Sequence, residues 1–146
     1  MNELSAEKIA AMRVDYSLKV FDETHVLANP IEQFKTWFAE AVEANVNEPN
    51  AMTLATVKPN QTPSARIVLL KGFSEKGFTF FTNYDSHKGE QLSLNNHVAL
   101  VFCWLELQRQ VRIEGIIEQV SPATSEKYFR ACFLIEVPSF IKLTTR

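Results

Sequence analysis

Residues 66–71 constrain the fold more strongly than any other stretch of this chain. Four consecutive aliphatic residues stand there between two cations, Arg66 and Lys71. An apolar run of this length between turn signals predicts a β-strand with both faces covered. Since Lys and Arg are seldom buried without a partner, the two cations have two interpretations. They are either solvated strand ends or a pair that binds an anionic ligand, such as a phosphate, beside a hydrophobic wall.

The segments around this strand predict an antiparallel sheet. Apolar runs bounded by turn residues recur along the chain, and the turns at 58–63 and 72–77 suit hairpins. The predicted strands are 51–57, 64–70, 78–82, 98–104 and 108–120. The predicted helices begin at Ser5, Asn29, Ser86 and Ser121. This order predicts an α+β, mainly β domain, in which an antiparallel barrel carries peripheral helices.

One helix start is especially well marked. Asn29 can cap the helix, Pro30 suits its first position, and Glu32 completes a pattern that resembles a capping box. An apolar stripe at helical spacing follows, which predicts packing against the core. Its members are Ile31, Phe34, Phe38, Ala41 and Val42, with Trp37 beside them.

Composition argues against several classes of partner. The formal net charge is -2 over 146 residues, so no overall basic character draws the chain to nucleic acid. The N-terminus lacks a signal peptide's basic start and apolar run, and no apolar stretch is long enough to span a bilayer. Cys103 and Cys132 stand in apolar surroundings without a CxxC pattern, which predicts buried free thiols in a reducing compartment. These features predict a cytoplasmic protein of one domain with no membrane partner.

A polar segment after the third predicted strand offers further anion-binding groups. Thr82 and Ser86 supply hydroxyl donors, Lys88 supplies a third cation, and a helix start would add unpaired N–H groups. On a regular strand, however, Arg66 and Lys71 point to opposite faces. The two can therefore serve one ligand only through a bulge, at a strand end, or by binding two different groups of that ligand.

Other polar residues leave their roles open. Gln108, Gln110 and Arg112 share one face of the fifth predicted strand, where they either face water or reach a ligand. Gln110 has both a donor and an acceptor for the edge of a heterocycle. No metal-ligand spacing links the three histidines, which are His25, His87 and His97.

Taken together, these segments resemble the pyridoxine (pyridoxamine) 5′-phosphate oxidases, flavin enzymes that make pyridoxal 5′-phosphate. The matching stretches are MRVDY at 12–16, Pro30 with Phe34 and Trp37, NAMTLATV at 50–57, RIVLLK at 66–71, FFTN at 80–83, SHK at 86–88, ELQRQVR at 106–112 and EKYF at 126–129. The resemblance implies a six-stranded split barrel that binds FMN at a homodimer interface. It also implies oxidation of pyridoxamine or pyridoxine 5′-phosphate, with O2 as the electron acceptor.

The resemblance further implies roles for individual residues. Arg66 and Lys88 would face the FMN phosphate, and His87 stands where many members have Arg. Gln110 would approach the FMN of the other subunit. Lys71 and Tyr128 would contact the phosphorylated pyridine substrate. The residues implied to contact FMN are Arg66, Ile67, Val68, Leu69, Leu70, Lys71, Phe81, Thr82, His87, Lys88 and Gln110.

The resemblance ends near residue 130. Residues 1–130 are therefore predicted to form the FMN-binding domain, and 131–146 an atypical tail that an early stop or a shifted reading frame would explain. Cys132 stands where the family has an Arg, and the apolar run 133–135 is expected to be exposed. Weakened FMN binding and low oxidase activity follow as expectations. Two alternatives stay open: a barrel that binds FMN or pyridoxal phosphate without oxidase activity, and a non-catalytic dimerising fragment with an unpaired strand edge.

Overall fold

Two α-helices and seven β-strands lie in the part of the chain that the computed structural model describes, residues 6–12, 26–81, 95–119, 132–136 and 141–145. The helices are α1 (Ala6–Ala10) and α2 (Pro30–Glu43). The strands are β1 (Ala51–Val57), β2 (Pro63–Ser74), β3 (Gly77–Phe81), β4 (His97–Trp104), β5 (Arg109–Gln119), β6 (Cys132–Glu136) and β7 (Ile141–Thr145). A 3-10 turn, Leu105–Leu107, joins β4 to β5. The predicted α+β, mainly β class is confirmed.

The strands close into an antiparallel split barrel. They follow the order β4-β1-β2-β3-β6-β5-β7, and β4 also pairs with β5. The ring β1-β2-β3-β6-β5-β4 therefore contains six strands, each antiparallel to its neighbours. The last strand, β7, pairs with the first half of β5, next to the half that pairs with β6. The antiparallel split barrel that the resemblance implied is confirmed.

Helix α2 covers the core with a single fully buried aromatic at its centre. Asn29 Oδ1 accepts hydrogen bonds from the backbone N–H of Ile31 at 2.8 Å and of Glu32 at 3.3 Å, so the predicted cap forms. The Phe34 ring lies 4.8–5.0 Å from three strand rings, at distances typical of favourable aromatic pairs. These rings belong to Phe73, Phe78 and Phe102. The stripe is displaced from the predicted one, since Trp37 is buried and Val42 is exposed.

Arg109, a buried arginine at the start of β5, links this strand to α2. Arg109 Nη2 donates to Glu40 Oε2 at 2.8 Å, and the guanidinium carbon lies 4.5 Å from the centre of the Trp37 ring. Gln108, predicted to begin this strand, instead adopts a left-handed conformation with φ 52° and precedes it. Alternation from Arg109 then places Gln110 on the outer face of β5.

Two further predictions of burial are wrong. Ile67 and Leu69 are 64% and 37% exposed, so only one face of this strand is covered. Cys103 is exposed, because Phe102 and Trp104 on either side of it face the core.

A prediction of exposure in the tail is also wrong. Ile135 was expected to be exposed but is 0% exposed, because β6 lies between β3 and β5 and Ile135 pairs with both Phe78 and Ile117.

In addition, the predicted turn at 72–77 is shorter than expected, since β2 continues to Ser74.

None of the helices among the described residues is long and apolar enough to cross a membrane. The same residues contain no group of three or more His, Cys, Asp or Glu side chains that could hold a metal ion.

Replacing Phe34 should be far more destabilising than replacing its neighbour Phe38. Phe34→Ala removes a fully buried ring and is expected to cost about 3–5 kcal/mol of unfolding free energy. Phe38→Ala is the matched control, because Phe38 is only partly buried against the same core. Urea unfolding of the three proteins measures both losses, and equal losses would contradict the central position of Phe34.

Candidate functional site

The guanidinium of Arg66 lies among oxygen acceptors from β1 and β2. Its Nη1 donates to Thr56 Oγ1 at 2.6 Å and lies 3.4 Å from the carbonyl oxygens of Leu54 and Ser64. Its Nη2 donates to Ser64 Oγ at 2.7 Å. These oxygens are neutral, so they orient the guanidinium without adding negative charge. The arrangement suits an arginine that presents a fixed positive charge to an anion.

The register of the β1–β2 hairpin brings these groups together. Thr56 pairs with Ser64, and Leu54 pairs with Arg66 two positions further on. Directly paired residues of an antiparallel sheet, and those two positions away, share one face. That face also carries the fully buried Leu54, so Arg66 extends from the edge of the core.

Partial burial changes the electrostatics of Arg66. Desolvation lowers the pKa of its guanidinium below the usual value, because burial disfavours the charged form. An arginine nevertheless stays protonated in proteins. Since charges interact more strongly at lower effective dielectric constant, a half-buried Arg66 can attract a phosphate more strongly than an exposed cation can.

A β-bulge separates Lys71 from this cluster. The β2–β3 register shifts between Leu70, which pairs with Phe80, and Gly72, which pairs with Thr79. Lys71 is the extra residue, and its Nζ lies 5.9 Å from the centre of the Phe81 ring. About 16 Å of strand separates Arg66 from Lys71. The bulge leaves Lys71 exposed on the side of Ile67 and Leu69, opposite Arg66, so the two cations could serve one ligand only by contacting two different groups of it.

The outer face of β2, which is opposite the face that carries Arg66, is apolar next to Lys71. Ile67 and Leu69 project from it, whereas Val68 and Leu70 are buried in the core. On β5, Gln110 is half-buried on the outer face, opposite Cys103 of β4. A flat apolar ligand could lie against such a surface.

Four other predicted site residues lie outside the described residues: Thr82, His87, Lys88 and Tyr128.

An open groove of about 610 Å³ is lined by residues of β1, β2, β4 and β5. Its size falls within the range of small-molecule sites. Among its lining residues, Thr56 is shared with the Arg66 cluster, and His97 and Glu114 are the ionisable ones. The complete lining is Ala55, Thr56, Val57, Pro63, His97, Val98, Ala99, Glu114, Gly115 and Ile116. None of these residues is a Lys or Arg, so the groove is a poorer phosphate site than the Arg66 cluster.

Two residues of the Arg66 cluster were not among the predicted site residues. Thr56 Oγ1 and Ser64 Oγ accept hydrogen bonds from its guanidinium at 2.6 and 2.7 Å. The signal was present in the sequence, because a hairpin with a turn at 58–63 can pair these positions. Hydroxyl residues are so common near turns, however, that this pattern alone does not indicate a site.

The barrel, its strand order and the Arg66 cluster together define a split-barrel protein with a candidate anion site. The family model described as pyridoxamine 5′-phosphate oxidase matches residues 38–136. This chain belongs to the pyridoxamine 5′-phosphate oxidase family.

Relatives and solved structures agree with this assignment. A pyridoxine/pyridoxamine 5′-phosphate oxidase of Ralstonia nicotianae is 56% identical over 123 residues, which are 84% of this chain and 58% of that relative. The chain thus spans little more than half the length of the relative.

Among solved structures, one match is PhzG from Burkholderia lata in complex with tetrahydrophenazine-1-carboxylic acid, with a TM-score of 0.70 and 28% sequence identity. The match covers 75% of this chain and 55% of the PhzG chain. A pyridoxamine 5′-phosphate oxidase-related, FMN-binding protein from Nostoc punctiforme has a TM-score of 0.54 and 24% identity, covering 61% of this chain and 49% of its own. The second likeness supports the fold alone.

The bulge beside Lys71 should tolerate a side chain at Gly72. A Cβ built there meets nothing within 4 Å, so Gly72→Ala is expected to leave stability unchanged or raise it by about 0.4–1 kcal/mol. Gly77→Ala is the contrasting variant, because Gly77 has φ 137° and should lose more than about 1 kcal/mol. Thermal unfolding measures both changes. A loss at Gly72 equal to that at Gly77 would show that the bulge requires glycine.

Proposed function

We propose that this chain is the FMN-binding split barrel of a pyridoxamine/pyridoxine 5′-phosphate oxidase, which forms pyridoxal 5′-phosphate with O2 as acceptor. The observation that carries the proposal is the hydroxyl-held guanidinium of Arg66 in a chain 56% identical to a named oxidase. Because the chain spans 58% of that relative, the activity of the longer protein is part of the proposal.

The described residues fit FMN by their chemistry. Arg66 would hold the phosphate, since a guanidinium forms strong charge-assisted bonds to phosphate oxygens. The exposed side chains of Ile67 and Leu69 would contact the flat ring system. Lys71, the extra residue of the β2 bulge, would lie beyond that apolar stretch. Phe81, Thr82, His87, Lys88 and Gln110 complete the proposed cofactor site.

When bound, FMN would accept the hydride from the C4′ carbon of the substrate and pass its electrons to O2. The protein's part is positioning and charge. Lys71 and Tyr128 would orient the phosphorylated pyridine, with the lysine held at the bulge beside Phe81. A small misplacement of the substrate costs a large factor in rate, so these two contacts matter more for turnover than for cofactor affinity.

A homodimer is part of the same proposal. The exposed apolar side chains on the outer face of β2 are the kind of surface that protein interfaces cover. Gln110, on the outer face of β5, would then approach the FMN of the other subunit.

A second candidate function is FMN binding without oxidase activity. It is favoured by Cys132, which has no positive charge for a substrate phosphate.

Product analysis separates the two candidates. Pyridoxamine 5′-phosphate is added with FMN in excess, and pyridoxal 5′-phosphate and peroxide are both measured, with the Ralstonia oxidase as positive control. Turnover below that of the control is expected because Cys132 offers no cation. Bound FMN with neither product would support the second candidate, and no FMN binding at all would contradict both.

Arg66→Ala should weaken FMN binding by roughly 10- to 150-fold, because a hydrogen bond to a charged group contributes about 1.5–3 kcal/mol. Lys35→Ala is the control, since Lys35 is an exposed cation on α2 that pairs with Glu32. Calorimetric titration with FMN measures both affinities. Equal FMN affinity in wild type and Arg66→Ala would remove Arg66 from the site.

The proposed dimer should depend on Ile67. Ile67→Asp is expected to give a monomer, because it places a charge in the apolar contact. Leu105→Asp is a matched control, since Leu105 is 65% exposed against 64% for Ile67 but lies in the β4–β5 turn. Light scattering after size exclusion measures the mass of each. A wild-type monomer at tens of micromolar would contradict the shared site.

A further inference from the structure

The two hydroxyls around Arg66 hold different ends of its guanidinium fork. Thr56 Oγ1 accepts from Nη1 at 2.6 Å, and Ser64 Oγ accepts from Nη2 at 2.7 Å. An arginine side chain otherwise has several freely rotating bonds, and fixing them on binding lowers affinity. Contacts from two strands to both ends of the fork therefore fix its direction before any ligand arrives.

Burial makes the contact with Thr56 especially restrictive. Thr56 is 2% exposed, and its Oγ1 also lies 3.4 Å from the carbonyl oxygen of Ser64, to which it can donate. A buried hydroxyl loses stabilisation when one of its hydrogen bonds is broken, so Thr56 favours the rotamer of Arg66 that reaches it.

The hydrogen bonds could serve stability alone, because they also join β1 to β2. A purely structural role and a role in phosphate binding differ in one measurable respect. If the hydroxyls serve phosphate binding, removing them should lower the affinity for a phosphorylated flavin more than the affinity for the same flavin without its phosphate. A purely structural role does not predict this difference.

We propose that Thr56 and Ser64 are positioning residues that aim the Arg66 guanidinium at the cofactor phosphate and so set the preference of the site for FMN over riboflavin. This inference rests on the proposed function. It adds two residues that do not themselves need to touch the flavin.

The test compares FMN with riboflavin by calorimetric titration of the full chain. Thr56→Val removes the hydroxyl with little change of shape and is expected to lower the ratio of FMN to riboflavin affinity by about five- to thirtyfold. Riboflavin affinity itself should change little. Thr56→Ser, which keeps the hydroxyl, should restore most of the ratio. Thr79→Val, a half-buried strand threonine on β3, should leave it unchanged.

Ser64→Ala supplies a second variant at a more exposed position and should lower the ratio in the same direction. If both hydroxyl variants keep the wild-type ratio while Arg66→Ala loses it, the positioning role is wrong and the phosphate site stands. If Arg66→Ala also keeps the ratio, the phosphate site itself is wrong, and the positioning role falls with it. Equal loss of both flavins in Thr56→Val would indicate a structural role and likewise overturn the inference.

Discussion

The register between β1 and β2 is the constraint on which the rest of the candidate site depends. Pairing Thr56 with Ser64 and Leu54 with Arg66 places a cation and two hydroxyls on one face of a hairpin whose next residues are core. A shift of one residue would turn that whole face outward. The buried Leu54 and Val68 oppose such a shift, so the apolar core also fixes the position of the charged group.

The bulge at Lys71 determines which side chains at the end of β2 face the core. Regular alternation would put Leu70 and Phe73 on opposite faces, yet both pack inward. One extra residue resets the alternation, so that Phe73 reaches the Phe34 ring at 4.9 Å while Lys71 remains exposed. The proposed cofactor surface and the aromatic core therefore depend on a single irregularity. This coupling is typical of bulges next to functional sites.

Local signals were sufficient for much of the fold. The cap at Asn29 and the apolar runs between turns predicted α2 and the first five strands to within a few residues. Local signals did not predict which side chains face the interior of the barrel. The exposure of Ile67 and Cys103, and the burial of Ile135, depend on which strands pair. For the candidate site, Arg66 and Lys71 were predicted from the sequence, whereas Thr56 and Ser64 became candidates only through the register. The roles of all these residues, and of Thr82, His87, Lys88 and Tyr128, are predictions.

We propose that the Arg66 guanidinium, held by Thr56 and Ser64, binds the phosphate of FMN. A crystal structure of the chain grown with FMN tests it most directly, through the distance from the guanidinium nitrogens of Arg66 to the phosphate oxygens. At least one such distance of about 2.7–2.9 Å is expected, as in charge-assisted hydrogen bonds. The ring system is expected to lie along Ile67 and Leu69. A phosphate bound in the groove beside His97, or far from Arg66, would show that Arg66 does not bind it.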